Sequence, residues 1–208
     1  MISYWQANSS MILTDTWQHL QLVGGALIIA LIIATELIVL CLGHDRWLTV
    51  LNYVFSLAYS IPSFALFALL IPITGLGRLT AVVVLVVYCE YVLLRSFVSG
   101  IESVDPILIE VAKGMGMTDT QVLIKVQLPL ALPSIFGGLQ IALASTMGIA
   151  TIAATINAGG LGELLFAGLQ SQAMAPILWG IIATVLLTLI GAGILKMIER
   201  VLVSDKVG

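Results

Sequence analysis

The chain has 208 residues, 60% hydrophobic and 9% charged, with a formal net charge of -3 and a mean hydropathy of +1.15. Soluble domains carry about 25% charged residues, so this composition excludes a water-soluble globule and places the chain in a bilayer. No basic cluster is present, which excludes a nucleic-acid partner.

Residues 1–19 lack a basic leader and are expected to form an extracytoplasmic N-terminal segment rather than a cleaved signal. A bilayer core of about 30 Å needs about 20 apolar residues in a helix. Five stretches meet that length: Leu20 to Gly43, Val50 to Ile73, Leu79 to Ser99, Leu130 to Ile156 and Pro176 to Ile198. They form one transmembrane domain over 20–199, followed by a cytosolic tail at 200–208. His44-Asp45-Arg46 and Thr74 to Arg78 are short turns. Residues 100–129 form a long polar loop, and 157–175 a Gly-rich, weakly polar one.

Lysine and arginine collect on the cytoplasmic side of membrane proteins. With the N-terminus outside, Arg46, Arg95, Lys113, Lys125, Lys196, Arg200 and Lys206 fall inside and Arg78 alone outside, a split of seven to one. An even number of spans would spoil it, so five spans, N-out and C-in, is the consistent topology. Small residues stud the fourth span, including Gly137, Gly138, Ala142 and Gly148, and let helices approach closely in lipid. Pro62, Pro72 and Pro133 are expected to kink or start helices. Trp5, Trp17, Trp47 and Trp179 read as interfacial anchors. Cys41 and Cys89 sit in apolar runs with neither a redox pair nor metal spacing, and read as small buried hydrophobes.

In the polar loop, Asp105-Pro106 marks a helix start, with Asp105 as N-cap and Pro106 at the first position. The helix runs through Ala112 and Lys113 until Gly114 and Gly116 break it. Thr118 to Gln121 fits a capping box and opens a second short helix to about Gln127. Leu128-Pro129 is expected to end it and turn the chain back into the membrane. Ile107, Leu108, Val111 and Met115 share one apolar face. Two readings stay open on the residues alone: helices resting on lipid headgroups, or a dock for a cytosolic protein.

Glu110-Val111-Ala112, three residues, Gly116, nine residues, then Val126-Gln127-Leu128-Pro129 resembles the EAA loop of ABC importer permeases. Val111 and Val126 depart mildly from that pattern, and its spacing is kept. Tyr59 to Phe67, Gly100 to Pro106, Gly114 to Asp119, Ala150 to Ala154 and Ala158 to Gly162 look like the osmoprotectant group, which imports glycine betaine, carnitine and choline. The resemblance implies an all-α, MetI-like type I ABC importer permease with cytosolic coupling helices, in a bacterial inner or plasma membrane. It implies that Glu110, Ala112, Gly114, Gly116, Leu128 and Pro129 couple to a cytosolic ABC ATPase dimer, beside a second permease (identical or paralogous) and an extracytoplasmic substrate-binding protein. No lysine here follows a glycine, so no GxxxxGK[ST] phosphate loop exists. ATP and its magnesium ion would be bound by the ATPase, and no cofactor or metal by this chain. The binding protein is likewise expected to be a separate chain.

Ionisable groups inside a membrane are costly and call for a reason. Glu36 and Glu90 are candidates to line a pathway for a cation, with contact to a partner subunit or a helix-end hydrogen bond as the alternative. Tyr59, Phe64, Tyr88 and Tyr91 are candidates to hold a quaternary ammonium by cation–π attraction, with helix packing as the alternative. Asn157 and Glu163 are candidates to touch the binding protein. An enzyme is disfavoured, since His19 and His44 form no HExxH motif. A methionine or other amino-acid permease is the nearest alternative. A channel or secondary transporter would not need such a loop.

Overall fold

The computed structural model describes residues 1–41 and 45–204. The turn expected at His44 and the lysine at 206 lie outside them. The first helix, α1 (Ile2–Leu40), is 39 residues long and departs from helical dihedrals at Asn8. At 1.5 Å per residue it is about 58 Å long, nearly twice the bilayer core. Residues 1–19 are therefore a helical extension of the first span.

The second expected span is a broken pair. α2 (Asp45–Ser60) and α3 (Ser63–Thr74) meet at 101°. Pro62 has no N–H to continue the ladder and starts α3 at φ -56 and ψ 133. The Ile61 carbonyl freed at the break accepts the hydroxyl of Tyr88. Pro72 is carried inside α3, which stops at Gly75 with φ 81, a left-handed conformation that suits glycine.

The central helix is α4 (Arg78–Glu102), packed against α1, α2, α3 and α7. Its crossing with α7 (Leu128–Ile152) is set by glycine. A Cβ at Gly138 would lie 2.3 Å from Ser96 Oγ, and one at Gly100 2.9 Å from Ser134 Cβ. Ser134 Oγ donates to the Ser96 carbonyl across this contact at 3.1 Å. Gly137 and Gly148 face open space instead.

The polar loop forms α5 (Pro106–Gly114) and α6 (Asp119–Val122). Leu128-Pro129 does not end the second helix. A π-helical turn over Leu123–Gln127 joins α6 to α7, and the Leu128 N–H reaches back to the Leu123 carbonyl. The wider turn accommodates the ring of Pro129, which an α-helical turn would crowd. The chain thus enters the fourth span as one continuous helix.

The Gly-rich stretch is not a free loop. A 3-10 turn, Ala153–Ile156, precedes α8 (Gly162–Gln170), whose Leu164 and Gly168 are buried. Its glycines permit contact: a Cβ on Gly162 would fall 1.9 Å from the Thr151 carbonyl oxygen. The last helix, α9 (Met174–Ser204), continues past the expected Ile198 and leaves Leu186, Leu189, Ile190 and Ile194 exposed.

Among the described residues four helices are long and apolar enough to cross a bilayer, and the broken pair makes five when counted as one span. One core layer gathers Leu22, Phe67, Leu85 and Met147, a second Ala34, Leu93, Phe97 and Ile135. A small third cluster of Ile12, Leu161 and Leu164 joins α8 to the α1 extension. There Trp5 and Trp179 stack with centroids 4.8 Å apart. Both cysteines are free and buried.

Candidate functional site

The loop between α4 and α7 is an elbow built by local chemistry. Asp105 Oδ1 accepts the Ile107 N–H at 2.9 Å, and Pro106 follows at the first helical position. At the other end of α5, the Met117 N–H bonds to the Ala112 carbonyl at 3.2 Å and the Gly116 N–H to that of Lys113 at 2.9 Å. This is a Schellman closure, which needs a left-handed residue, and Gly116 supplies it with φ 83. Gly116 therefore ends the helix, while Gly114 is its last residue. Thr118 and Gln121 form the expected capping box: Gln121 N–H donates to Thr118 Oγ1 at 3.3 Å and Thr118 N–H to Gln121 Oε1 at 3.0 Å. Lys113 Nζ bridges the two helices to Asp119 at 2.8 Å.

Burial separates two faces. Ala112, Val122 and Leu123 are buried against the bundle. The apolar face turns away from it, with Ile107 65%, Val111 54% and Met115 72% exposed, and Glu110 beside them is exposed too. A groove of ≈ 570 Å³ adjoins this face, lined by Leu108, Ile124, Lys125, Val126, Pro129 and Leu130. The residues expected to couple are thus divided. Glu110 and Gly116 are presented, Ala112 seats the elbow, Pro129 lines the groove, and Leu128 is half-buried at the start of α7.

The pathway candidates separate as well. Tyr59 lies 4.6 Å from Tyr91 and 5.3 Å from Tyr88, ring to ring, beside the break between α2 and α3. Phe64, on α3, is 61% exposed and joins no ring cluster among the described residues. Glu36 is exposed and lines a separate cavity with Thr35, Val39 and Leu40. Glu90 is buried in the bundle, and neither carboxylate oxygen has a hydrogen-bond partner among the described residues. Arg95 is the group that sequence reasoning missed: its Nη1 donates to Tyr91 Oη at 2.8 Å. The signal was present in the i,i+4 spacing of Tyr91 and Arg95, which puts both on one face of α4.

At the opposite end, long-range contacts close the bundle. Gln18 Oε1 accepts the Gly160 N–H at 3.1 Å. His19 Nε2 lies 3.2 Å from the Met147 carbonyl, and Arg78 Nη2 donates to Gln21 Oε1 at 2.8 Å. Asn157 and Glu163 flank this clamp. Asn157 is exposed at φ 61 where the 3-10 turn ends, and Glu163 is exposed in the first turn of α8.

Residues 26–203 match the family of binding-protein-dependent transport system inner membrane components. The chain is 37% identical over 206 residues to the osmoprotectant import permease protein OsmW of Salmonella typhimurium, covering 97% of this chain and 96% of that protein. It is 33% identical over 190 residues to the carnitine transport permease protein OpuCB of Listeria monocytogenes, covering 91% and 87%. With the choline transport system permease protein OpuBB of Bacillus subtilis it shares 30% over 200 residues, covering 96% and 92%. A chain of the MetNI methionine ABC transporter, solved in inward-facing conformations, superposes with a TM-score of 0.84 over 94% of this chain and 98% of that one, at 22% identity. That likeness establishes the type I importer permease fold.

Proposed function

The chain belongs to the family of binding-protein-dependent transport system inner membrane components, and from that premise we propose that it carries osmoprotectant quaternary amines through the membrane: glycine betaine, carnitine or choline. It is a permease subunit of an ABC importer in a bacterial membrane and works with an ATPase and a substrate-binding protein. The cargo reading is supported by what the relatives are named for: osmoprotectants, carnitine and choline.

One observation carries the coupling mechanism. The elbow is fixed by its own caps yet turns Ile107, Val111 and Met115 outward. An apolar helix face presented by a rigid base suits insertion into a groove of another protein. The ATPase dimer takes α5 in such a groove, with Glu110 at its edge. α6 and the π-turn run straight into α7, so displacement of α5 is delivered to the span that crosses α4. ATP-driven closure of the ATPases then biases two rigid arrangements of a permease pair. Asn157 and Glu163, exposed beside the outer clamp, meet the binding protein.

Co-purification of tagged permease with its ATPase from detergent extracts tests the coupling half. Val111→Asp combined with Met115→Asp should weaken capture roughly tenfold or more, as loss of a central apolar anchor does, while the permease keeps its unfolding midpoint. Capture equal to wild type contradicts the docking assignment.

A further inference from the structure

A polar groove lies beside the broken span. One part, of ≈ 340 Å³, is lined by residues including Tyr59, Tyr91, Arg95 and Ser134. A second, of ≈ 500 Å³, shares Tyr91, Arg95 and Ser99 and adds Asn52. Small-molecule sites span about 300–1,000 Å³, so either part admits a compact solute.

Arg95 is the deciding group. It is exposed toward the inner end of α4, so its guanidinium is free to meet water or a ligand. The bond to Tyr91 uses one of its five donors. Among the described residues the one ion pair joins Lys113 and Asp119, and no carboxylate pairs with Arg95. Glu102 lines the same groove but lies seven residues on, about 10 Å along the helix axis. The rings of Tyr59 and Tyr91, 4.6 Å apart, line the groove beside this guanidinium. Tyr88 also packs near Tyr59, 5.3 Å ring to ring, and is itself tied to the Ile61 carbonyl at the break.

A bare cation would be attracted by the rings and repelled by Arg95. A bare anion would meet Arg95 and waste the rings. A zwitterion uses both, with its carboxylate on the guanidinium fork and its quaternary ammonium on the ring faces. The geometry points to a transit site in this groove that takes small zwitterionic quaternary amines, such as glycine betaine and carnitine, in preference to choline, which has the ammonium but no carboxylate. The site rests on the cargo reading above and refines it. Overall similarity does not separate these cargoes, because carnitine- and choline-named relatives are about equally close. It also reverses the charge logic of the sequence, in which Glu36 and Glu90 favoured a cation: neither lines the groove.

The complete transporter, permease with its ATPase and binding protein in proteoliposomes, decides the matter by uptake of radiolabelled glycine betaine and choline. Each variant is compared with wild type for each substrate, so the selectivity of the binding protein cancels. Arg95→Gln should lower the betaine-to-choline ratio of kcat/KM roughly tenfold or more, the loss expected for a hydrogen-bonded charge pair. Arg95→Lys, which keeps the charge without the fork, should fall between, and stands in if Arg95→Gln does not assemble. Tyr59→Leu should lower uptake of both substrates, since both carry the ammonium. An unchanged ratio in the Arg95 variants overturns the site and leaves the cargo class standing. A wild type that imports neither overturns the cargo class, and the site with it.

Discussion

The two ends of this bundle are held by opposite kinds of contact. At the outer end, Gln18 reaches Gly160, His19 reaches the Met147 carbonyl and Arg78 reaches Gln21, each joining residues far apart in the chain. At the inner end, Asp105 caps Ile107, Thr118 and Gln121 cap each other, and Lys113 meets Asp119, all within a few residues. The outer end is a closure: it forms only when the whole bundle does. The inner elbow is shaped by its own local bonds and seated on the bundle through Ala112, Val122 and Leu123. That division suits the coupling role proposed for the elbow.

Substitutions that strain each end separately sharpen the contrast. The largest effect is expected from Gly162→Ala, whose Cβ would fall 1.9 Å from the Thr151 carbonyl oxygen. Backbone must move there, at about 3 kcal/mol, read as a lowered unfolding midpoint in detergent and a loss of monodisperse protein. Gln18→Leu comes next. The Gly160 N–H loses its acceptor, at about 1–2 kcal/mol, and the α8 amides should gain hydrogen exchange while those of α5 do not. Smallest are the elbow changes: Asp105→Ala should cost about 1 kcal/mol as a lost N-cap, and Lys113→Ala less than about 1 kcal/mol as an exposed ion pair. Faster exchange confined to α5 and α6 is the expected signature. Loss of protection at α8 from either elbow change would break the contrast.

The same division explains what the sequence could reveal. The elbow was legible because caps are written within three or four residues: Asp105-Pro106, Thr118 to Gln121 and Gly116 each stand where local rules put them. All five spans were legible from length and hydropathy, and Pro62 was expected to kink or start a helix; the 101° of the break was not legible. The rest depended on distant partners. The break at Pro62 is fixed with help from Tyr88, on another helix. Packing of Gly162 on Thr151 turned an apparent loop into α8. Pro129 reads as a stop in sequence, yet a wider turn carries the helix past it. For the site, the apolar face of α5 was evident, but its outward direction was not, because periodicity does not say which side meets the bundle. Arg95 was counted for orientation, and its contact with Tyr91 went unread.

Site-directed crosslinking from the elbow reads whether α5 meets the ATPase. With Cys41 and Cys89 both buried, a cysteine placed by Met115→Cys is the reactive thiol of the elbow. In membranes holding the assembled transporter, a short thiol-to-amine crosslinker should join it to the ATPase, and ATP should change the yield. An adduct that forms only with lipid, or none with the ATPase in either nucleotide state, would contradict the account.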